Sequence, residues 1–530
     1  MQKQKSFKVS PRELYKKTLT FLESSNYKGE MPEPDSELQE DSLKTFNILT
    51  TETDSEQNLE NIFAEYQNAI EKEPEDPCLY NNAAIILAKL NKLQKALELL
   101  DQAISVDPNY TQANYNKGLI LLKLGEIDSA ILQLKKRLDK NSDDLYACNQ
   151  IGLALIKNGK LKEAEKYFKK ALQINPLDHF THNNLGKLLE KKENYEFAEQ
   201  SFRKALCTAP QDIYARNNLG RILLKQNRWE EALTEFYIII ENHPNDAVVY
   251  HNLGMVYYNM SQWNEAIQCF EKALSINKND VYARNSLGKT YVLLEDYEKA
   301  IKIFDSALAI DCNDLYTINN KALCFMRQSK YEEALALYEE ILQRDAFNIE
   351  ALGNAGFIYY SKEDPSKALE YFALILKKNK KDTYALNNLG LCYEQLKNSI
   401  KAIECFKKSL EIEPNDILVL NHLANSMIMK NKTDEALSLL TKSLDIEPSD
   451  PYTHSNIALI YTATAEFDKA EQSFKKALEL NPQDFYSWNN LGIVYARKKN
   501  LPEAAKCFKK AIELNNEYEE AIENLKEITE

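Results

Sequence analysis

The sequence predicts an all-α protein built from stacked antiparallel helix pairs. Segments beginning at residues 77, 111, 145, 179, 213, 247, 281, 315, 349, 383, 417, 451 and 485 repeat one 34-residue pattern thirteen times, across 77–518, with no insertion or deletion. The eighth place of each repeat is Gly or Ala, from Ala84, Gly118 and Gly152 to Ala458 and Gly492, and the twentieth is Ala throughout, from Ala96 to Ala504. Small residues at two fixed places let two helix backbones approach closely, where larger side chains would hold them apart.

Each repeat then reads as two helices. Places 4, 7, 8 and 11 form one apolar stripe at helical spacing, and places 17, 20, 24, 27 and 28 form a second. Place 24 is mostly aromatic, as in Phe168, Phe202, Phe236, Phe270, Phe304, Tyr338 and Phe372. Pro closes seven repeats at place 32, where it stops the second helix. Place 34 is Asp in ten repeats and Asn348 in another, and a short acidic side chain there caps the next helix and favours its positive dipole end.

The ends differ. Residues 43–76 read as a degenerate repeat, with Ile62, Tyr66, Ala69, Ile70 and Pro74 at places 20, 24, 27, 28 and 32. Residues 519–530 place Ala521, Ile522, Leu525 and Ile528 on one helical face and acids on the other, as a capping helix requires. Residues 1–42 are an N-terminal segment, basic up to Lys28 and acidic from Glu30 to Asp41, largely flexible with one helix start at Ser10-Pro-Arg-Glu13. Tyr15, Leu19 and Leu22 on that helix would dock on a partner or fold back onto the first repeat. Gly353 and Pro365 interrupt the pattern of repeats 8 and 9, so a flexure is expected there.

Segments such as Tyr214-Ala-Arg-Asn-Asn-Leu-Gly220 and Trp229-Glu-Glu-Ala232 place small and aromatic residues where the tetratricopeptide repeat family has its signature, and residues 77–518 closely resemble that family. The resemblance implies a right-handed superhelical α-solenoid whose concave face is lined by the first helix of each repeat. The pentatricopeptide type, which reads RNA, is disfavoured by the invariant Ala at place 20 and by the acidic balance.

Composition narrows the function. Lys+Arg 66 against Asp+Glu 80 gives a net charge of −14, which argues against a nucleic-acid partner. No run of 18 apolar residues predicts a membrane span, and the basic start lacks the apolar core of a secretory signal. Nine scattered Cys with no Cys-x-x-Cys suit reduced thiols, so a cytoplasmic location is expected. No catalytic constellation is legible. Of the six His, only His179 and His182 are close in sequence, and no third ligand joins them at metal-like spacing. No phosphate loop or Gly-x-Ser-x-Gly is present, and only residues 1–76 and 519–530 lie outside the repeats. The chain is expected to be no enzyme, with no cofactor, no metal and no catalytic residue.

Function is therefore expected on the inner stripe of the first helices, at places 2, 6, 9 and 13. Place 6 carries Asn82, Asn116, Asn184, Asn218, Asn252, Asn320, Asn354, Asn388, Asn456 and Asn490. Such carboxamides could pair with the backbone of an extended peptide, or only with neighbouring backbone between repeats. An asparagine ladder at this place also resembles the tetratricopeptide region of O-GlcNAc transferase, although place 2 differs and the transferase domain is missing. Place 2 is an aromatic stripe, with Tyr146, Phe180, Tyr214, Tyr282, Tyr316, Tyr384, Tyr452 and Tyr486, for which packing between repeats is the favoured expectation. A basic groove is expected from Lys187, Arg221 and Lys289 at place 9, Lys157, Lys191 and Lys225 at place 13, and Arg216 and Arg284 beside them. Place 5 is never Lys, so the family's two-carboxylate clamp is absent. The expected function is a scaffold holding a protein or peptide partner, extended and acidic, within a multi-subunit assembly. The alternative is a regulatory or targeting subunit that recruits substrates to a separate enzyme.

Overall fold

The computed structural model describes residues 56–529; the helix start at Ser10 and the first half of the degenerate repeat lie outside the described residues. Among the described residues there are 28 helices and no strand. Nearly every repeat gives a first helix at places 1–13 and a second at places 17–30, as in repeat 4, His179–Lys191 and Tyr195–Thr208; the first helix of repeat 2 (Thr111–Leu124) is one residue longer and the second of repeat 7 (Tyr297–Leu308) two residues shorter. Glu56–Lys72 takes the second-helix position of the degenerate repeat, with Phe63 packed against the core of the next repeat. Glu519–Thr529 lays Leu525 and Ile528 on the core of repeat 13. The chain packs as two compact parts that divide at Thr290 and Tyr291, inside the first helix of repeat 7 (Val281–Leu293). The flexure expected at repeats 8 and 9 has no counterpart in their helices. Ile349–Ser361 runs unbroken through Gly353, and Pro365 opens the following helix at a position that needs no N–H donor.

The small places work as expected. All thirteen place-20 alanines are fully buried. Place 8 faces place 24 of the same repeat so closely that a Cβ on Gly152, Gly186 or Gly254 would meet a ring carbon of Phe168, Phe202 or Phe270 at 2.5 Å. Capping follows the pattern too. Asp178 accepts from Thr181 N at 2.7 Å, and Asp212 accepts from Tyr214 N and Ala215 N at 2.9 and 3.1 Å. Tyr110 replaces Asp at place 34 and makes no side-chain cap.

Three further regularities join these. Place 15, between the two helices, is left-handed in every repeat, at Gly125 and Gly159 but also at Asn91, Glu193, Lys397, Ala465 and seven other non-glycine residues with φ of 57–61°. At place 4, a donor reaches back to the place-32 proline carbonyl of the preceding repeat: Tyr80 to Pro74 at 3.1 Å, His182 to Pro176 at 2.8 Å, His454 to Pro448 at 3.0 Å and Trp488 to Pro482 at 3.0 Å. Such a bond satisfies a carbonyl that the broken helix leaves unpaired. In four repeats of the second part, Tyr at place 11 stands beside Lys at place 19. Lys299, Lys367, Lys401 and Lys469 lie 5.3, 4.8, 5.1 and 5.2 Å from the ring centres of Tyr291, Tyr359, Tyr393 and Tyr461.

Candidate interaction surface

Within each part, successive first helices touch one another, as do His179–Lys191 and Ile213–Lys225, while no two successive second helices do so to a comparable extent among the described residues. The crowded layer of a curved stack is its inner side, so the first helices line that side and their outward stripe carries the candidate residues.

Five of the place-6 asparagines are joined across repeats. Asn116 Nδ2 donates to Asn81 Oδ1 at 2.7 Å, Asn184 to Asn149 at 3.3 Å, Asn218 to Asn183 at 2.9 Å, Asn252 to Asn217 at 2.8 Å and Asn456 to Asn421 at 2.8 Å. Each bond runs from place 6 to place 5 of the preceding repeat, and Asn524 extends the series by donating to Asn489 at 3.0 Å. The neighbour they meet is therefore another carboxamide, not backbone. Each such bond uses one of the two N–H donors of its carboxamide. Asn116, Asn218, Asn320, Asn388 and Asn456 are buried, whereas Asn184, Asn252, Asn354 and Asn490 are half-buried. The series lapses in the middle repeats: Asn320 Nδ2 and Asn319 Oδ1 are buried without a hydrogen-bond partner among the described residues, and Gly353 offers no acceptor, so Asn388 donates instead to the carbonyl of Tyr384 at 2.8 Å. The signal for this ladder was the dipeptide Asn-Asn at places 5 and 6, as in Asn183-Asn184 and Asn217-Asn218.

The aromatic stripe departs from the packing expectation. Tyr214 and Tyr282 are 71% and 82% exposed, and Tyr316, Tyr384, Tyr452, Tyr486 and Phe180 are also exposed. Tyr146 is half-buried, and Tyr384 lies edge-on to Phe372 with ring centres 6.2 Å apart.

The basic residues separate into three groups. Arg216 is not a groove cation: its Nη1 donates to the buried Glu235 at 2.6 Å and its Nη2 to the Pro210 carbonyl at 2.6 Å, the place-4 bond of its repeat. Arg221 and Lys225 both reach Oε1 of Glu190, at 2.8 and 3.0 Å. Lys157, Lys187 and Lys191 are exposed, and Lys191 lies 3.4 Å from the Ile156 carbonyl. Arg284 and Lys289 are half-buried, and Arg284 donates to the Asp280 carbonyl at 3.3 Å.

No group of three His, Cys, Asp or Glu converges to hold a metal among the described residues. Burial pushes the thiols of Cys324, Cys392 and Cys507 up to about 12, which suppresses the thiolate a nucleophile needs. Burial also holds His182, His251 and His422 below the usual imidazole range, and each bonds to a fixed neighbour: Pro176 O, Ser286 Oγ or Asn387 Oδ1. No described helix is long and apolar enough to cross a membrane.

Paired helices, a stitched inner layer and a polar, aromatic inner stripe define a helical-repeat interaction module. The chain belongs to the tetratricopeptide repeat family: models of that repeat match residues 81–145, 145–177, 188–253, 245–313, 325–392, 383–416, 451–484 and 485–518. Members are generally non-catalytic interaction modules. Among solved structures, a chain of the crystal structure of the APC/C hetero-tetramer Cut9-Hcn1 is similar over 99% of both chains, at 15% identity and a TM-score of 0.53. A tetratricopeptide repeat protein from Parabacteroides merdae matches 47% of this chain and 99% of its own, at 22% identity and a TM-score of 0.43. PilF of Pseudomonas aeruginosa matches 39% of this chain and 94% of its own, at 22% identity and a TM-score of 0.34. None of the curated proteins matches the chain.

Proposed function

We propose that this protein is a non-enzymatic scaffold that takes an extended acidic segment of a partner protein along its first helices. The observation that carries the reading is the cationic run of Lys157, Lys187 and Lys191, exposed on the inner stripe of an otherwise acidic chain of net charge −14. A local positive stripe in a negative molecule draws acidic segments and repels other surfaces, which gives selectivity. The exposed rings of Phe180 and Tyr214 flank that run and supply apolar contact at low entropic cost. Asn184 and Asn252, half-buried, each keep an amide oxygen and a second N–H for the partner's backbone. Many weak contacts along successive repeats sum to useful affinity without a deep pocket.

A regulatory or targeting subunit, bringing substrates to a separate enzyme as the O-GlcNAc transferase repeats would suggest, uses the same face. The similar Cut9-Hcn1 chain is itself part of a hetero-tetramer, and a multi-subunit setting fits either version. The test is capture of an acidic peptide array by the full chain and by the triple variant K157Q/K187Q/K191Q. Binding should weaken by about tenfold or more in the variant and in high salt. Capture that survives both removes the acidic-segment reading.

A further inference from the structure

Resting on that reading, the inner face of repeats 4 and 5 carries a feature the family pattern does not require. Glu190, at place 12 of repeat 4, is the acid that accepts from both Arg221 and Lys225, at places 9 and 13 of repeat 5. Both donors converge on Oε1. The carboxylate side chain is only 11% exposed, while those of Arg221 and Lys225 are 40% and 43% exposed. The acid therefore lies behind its cations, and the cations face the groove with donors to spare: a guanidinium has five N–H groups and an ammonium three. Asn218 Oδ1 steadies the guanidinium from its own helix, 3.4 Å from Arg221 Nη1.

Repeat 10 repeats the acid without the cations. Glu394 stands at the same place 12, but places 9 and 13 of the following repeat are Asn425 and Met429, and Glu394 accepts only from Ser426. The acid alone is thus compatible with the fold, and the Arg221–Lys225 pair is an addition of repeat 5. Adjacent to it, Lys157, Lys187 and Lys191 add three more positive charges on the same side.

We propose that Arg221 and Lys225 form the anchor for a partner carboxylate and that Glu190 is its internal competitor, setting how acidic a segment must be to bind. A single acidic side chain meets two cations already half-neutralised. A run of carboxylates meets the five cations together and overcomes the one resident acid. The occupant is an acidic protein segment, whose carboxylates complement the clustered cations while its apolar side chains meet the exposed aromatics at place 2.

The experiment is fluorescence anisotropy of a fluorescein-labelled hexaglutamate peptide titrated with the full chain at low and at high salt. Glu190→Gln keeps the shape and removes the charge, and Glu190→Met does the same without the carboxamide. Both should bind the peptide roughly fivefold or more tightly than wild type at low salt, with the gain fading at high salt. Adding Arg221→Gln to Glu190→Gln should abolish the gain. If wild type binds, K187Q/K191Q binds less well, and neither Glu190 variant gains, then Glu190 is not a competitor although the groove reading stands. If no form binds hexaglutamate, the groove reading falls and this inference with it. Binding of single-stranded oligothymidylate in preference to the peptide would overturn the choice of occupant.

Discussion

The ring of Phe202 lies against the bare Cα of Gly186, so close that a Cβ there would stand 2.5 Å from Cε1 and 2.7 Å from Cζ. The two come from the two helices of repeat 4, and the ring is fully buried. Replacing Gly186 by Ala gains about 1 kcal/mol of helix propensity but forces the ring aside, which costs about 1–3 kcal/mol. Repeats 1 and 11 pair Ala84 with Leu100 and Ala424 with Leu440 at the same two places, whereas repeats 8 and 12 hold Tyr338 and Phe474 opposite Ala322 and Ala458, so the clash is set by the close approach in repeat 4 itself. Gly186→Ala should therefore lower the urea midpoint, and adding Phe202→Leu should recover most of the loss. A double variant no better than the single would show that the contact is not what limits place 8.

The left-handed residue at place 15 is a stored cost that glycine removes. Ala465 has φ 61° and Lys397 has φ 59°. An L-residue in this region loses roughly 1 kcal/mol relative to glycine, more than the gain from a stiffer unfolded chain. Ala465→Gly and Lys397→Gly should each raise the thermal midpoint, and together the effects should add because the sites are remote.

The asparagine ladder predicts a contrast between two chemically identical substitutions. Asn218→Ala strips the buried Asn183 Oδ1 of its donor, at a cost of about 1–3 kcal/mol. Asn388→Ala removes a bond to a helix carbonyl of its own turn and leaves no buried partner behind, so it should cost far less. Equal losses in chemical denaturation would mean that the inter-repeat bonds contribute nothing.

Acid should loosen the first helices before it titrates most carboxylates. Burial lowers the values of His182, His251 and His422, so the folded state resists their protonation. Their contribution is intact above the unfolded imidazole value and is lost as pH falls through it, about 6.5 and below. The thermal midpoint should drop between about pH 7 and 5, and the triple variant H182N/H251N/H422N should flatten that slope. An unchanged slope would place the acid sensitivity elsewhere.

How much was readable divides by physical range. The period of 34, the small residues at places 8 and 20, the caps at place 34 and the stopping prolines are local or intra-repeat signals, and the helices follow them residue by residue. Arg216 was misassigned to the groove because its partners, Glu235 and the Pro210 carbonyl, are reached through the packing of two helices and a turn. Tyr214 and Tyr282 were expected to pack because repeats with an aromatic at place 4, Tyr80 and Tyr250, carry Cys78 and Val248 at place 2; both rings are exposed instead. The contact of Tyr with Lys at places 11 and 19 in repeats 7, 9, 10 and 12 was not legible as a rule, since Tyr257 and Tyr495 stand with Glu265 and Glu503, and it needed the distance between ring and ammonium.

By itself, the sequence determined that this chain is a repeated pair of helices, since helical periodicity, small contact residues and caps act within one repeat and are written in every copy. Only the tertiary structure decided which polar groups on the inner side are still available. Whether a carboxamide or a cation faces solvent or is spent on a neighbour depends on residues 31 to 35 positions away, such as Glu190 with Arg221 or Asn183 with Asn218, and that proximity exists only once the repeats are stacked.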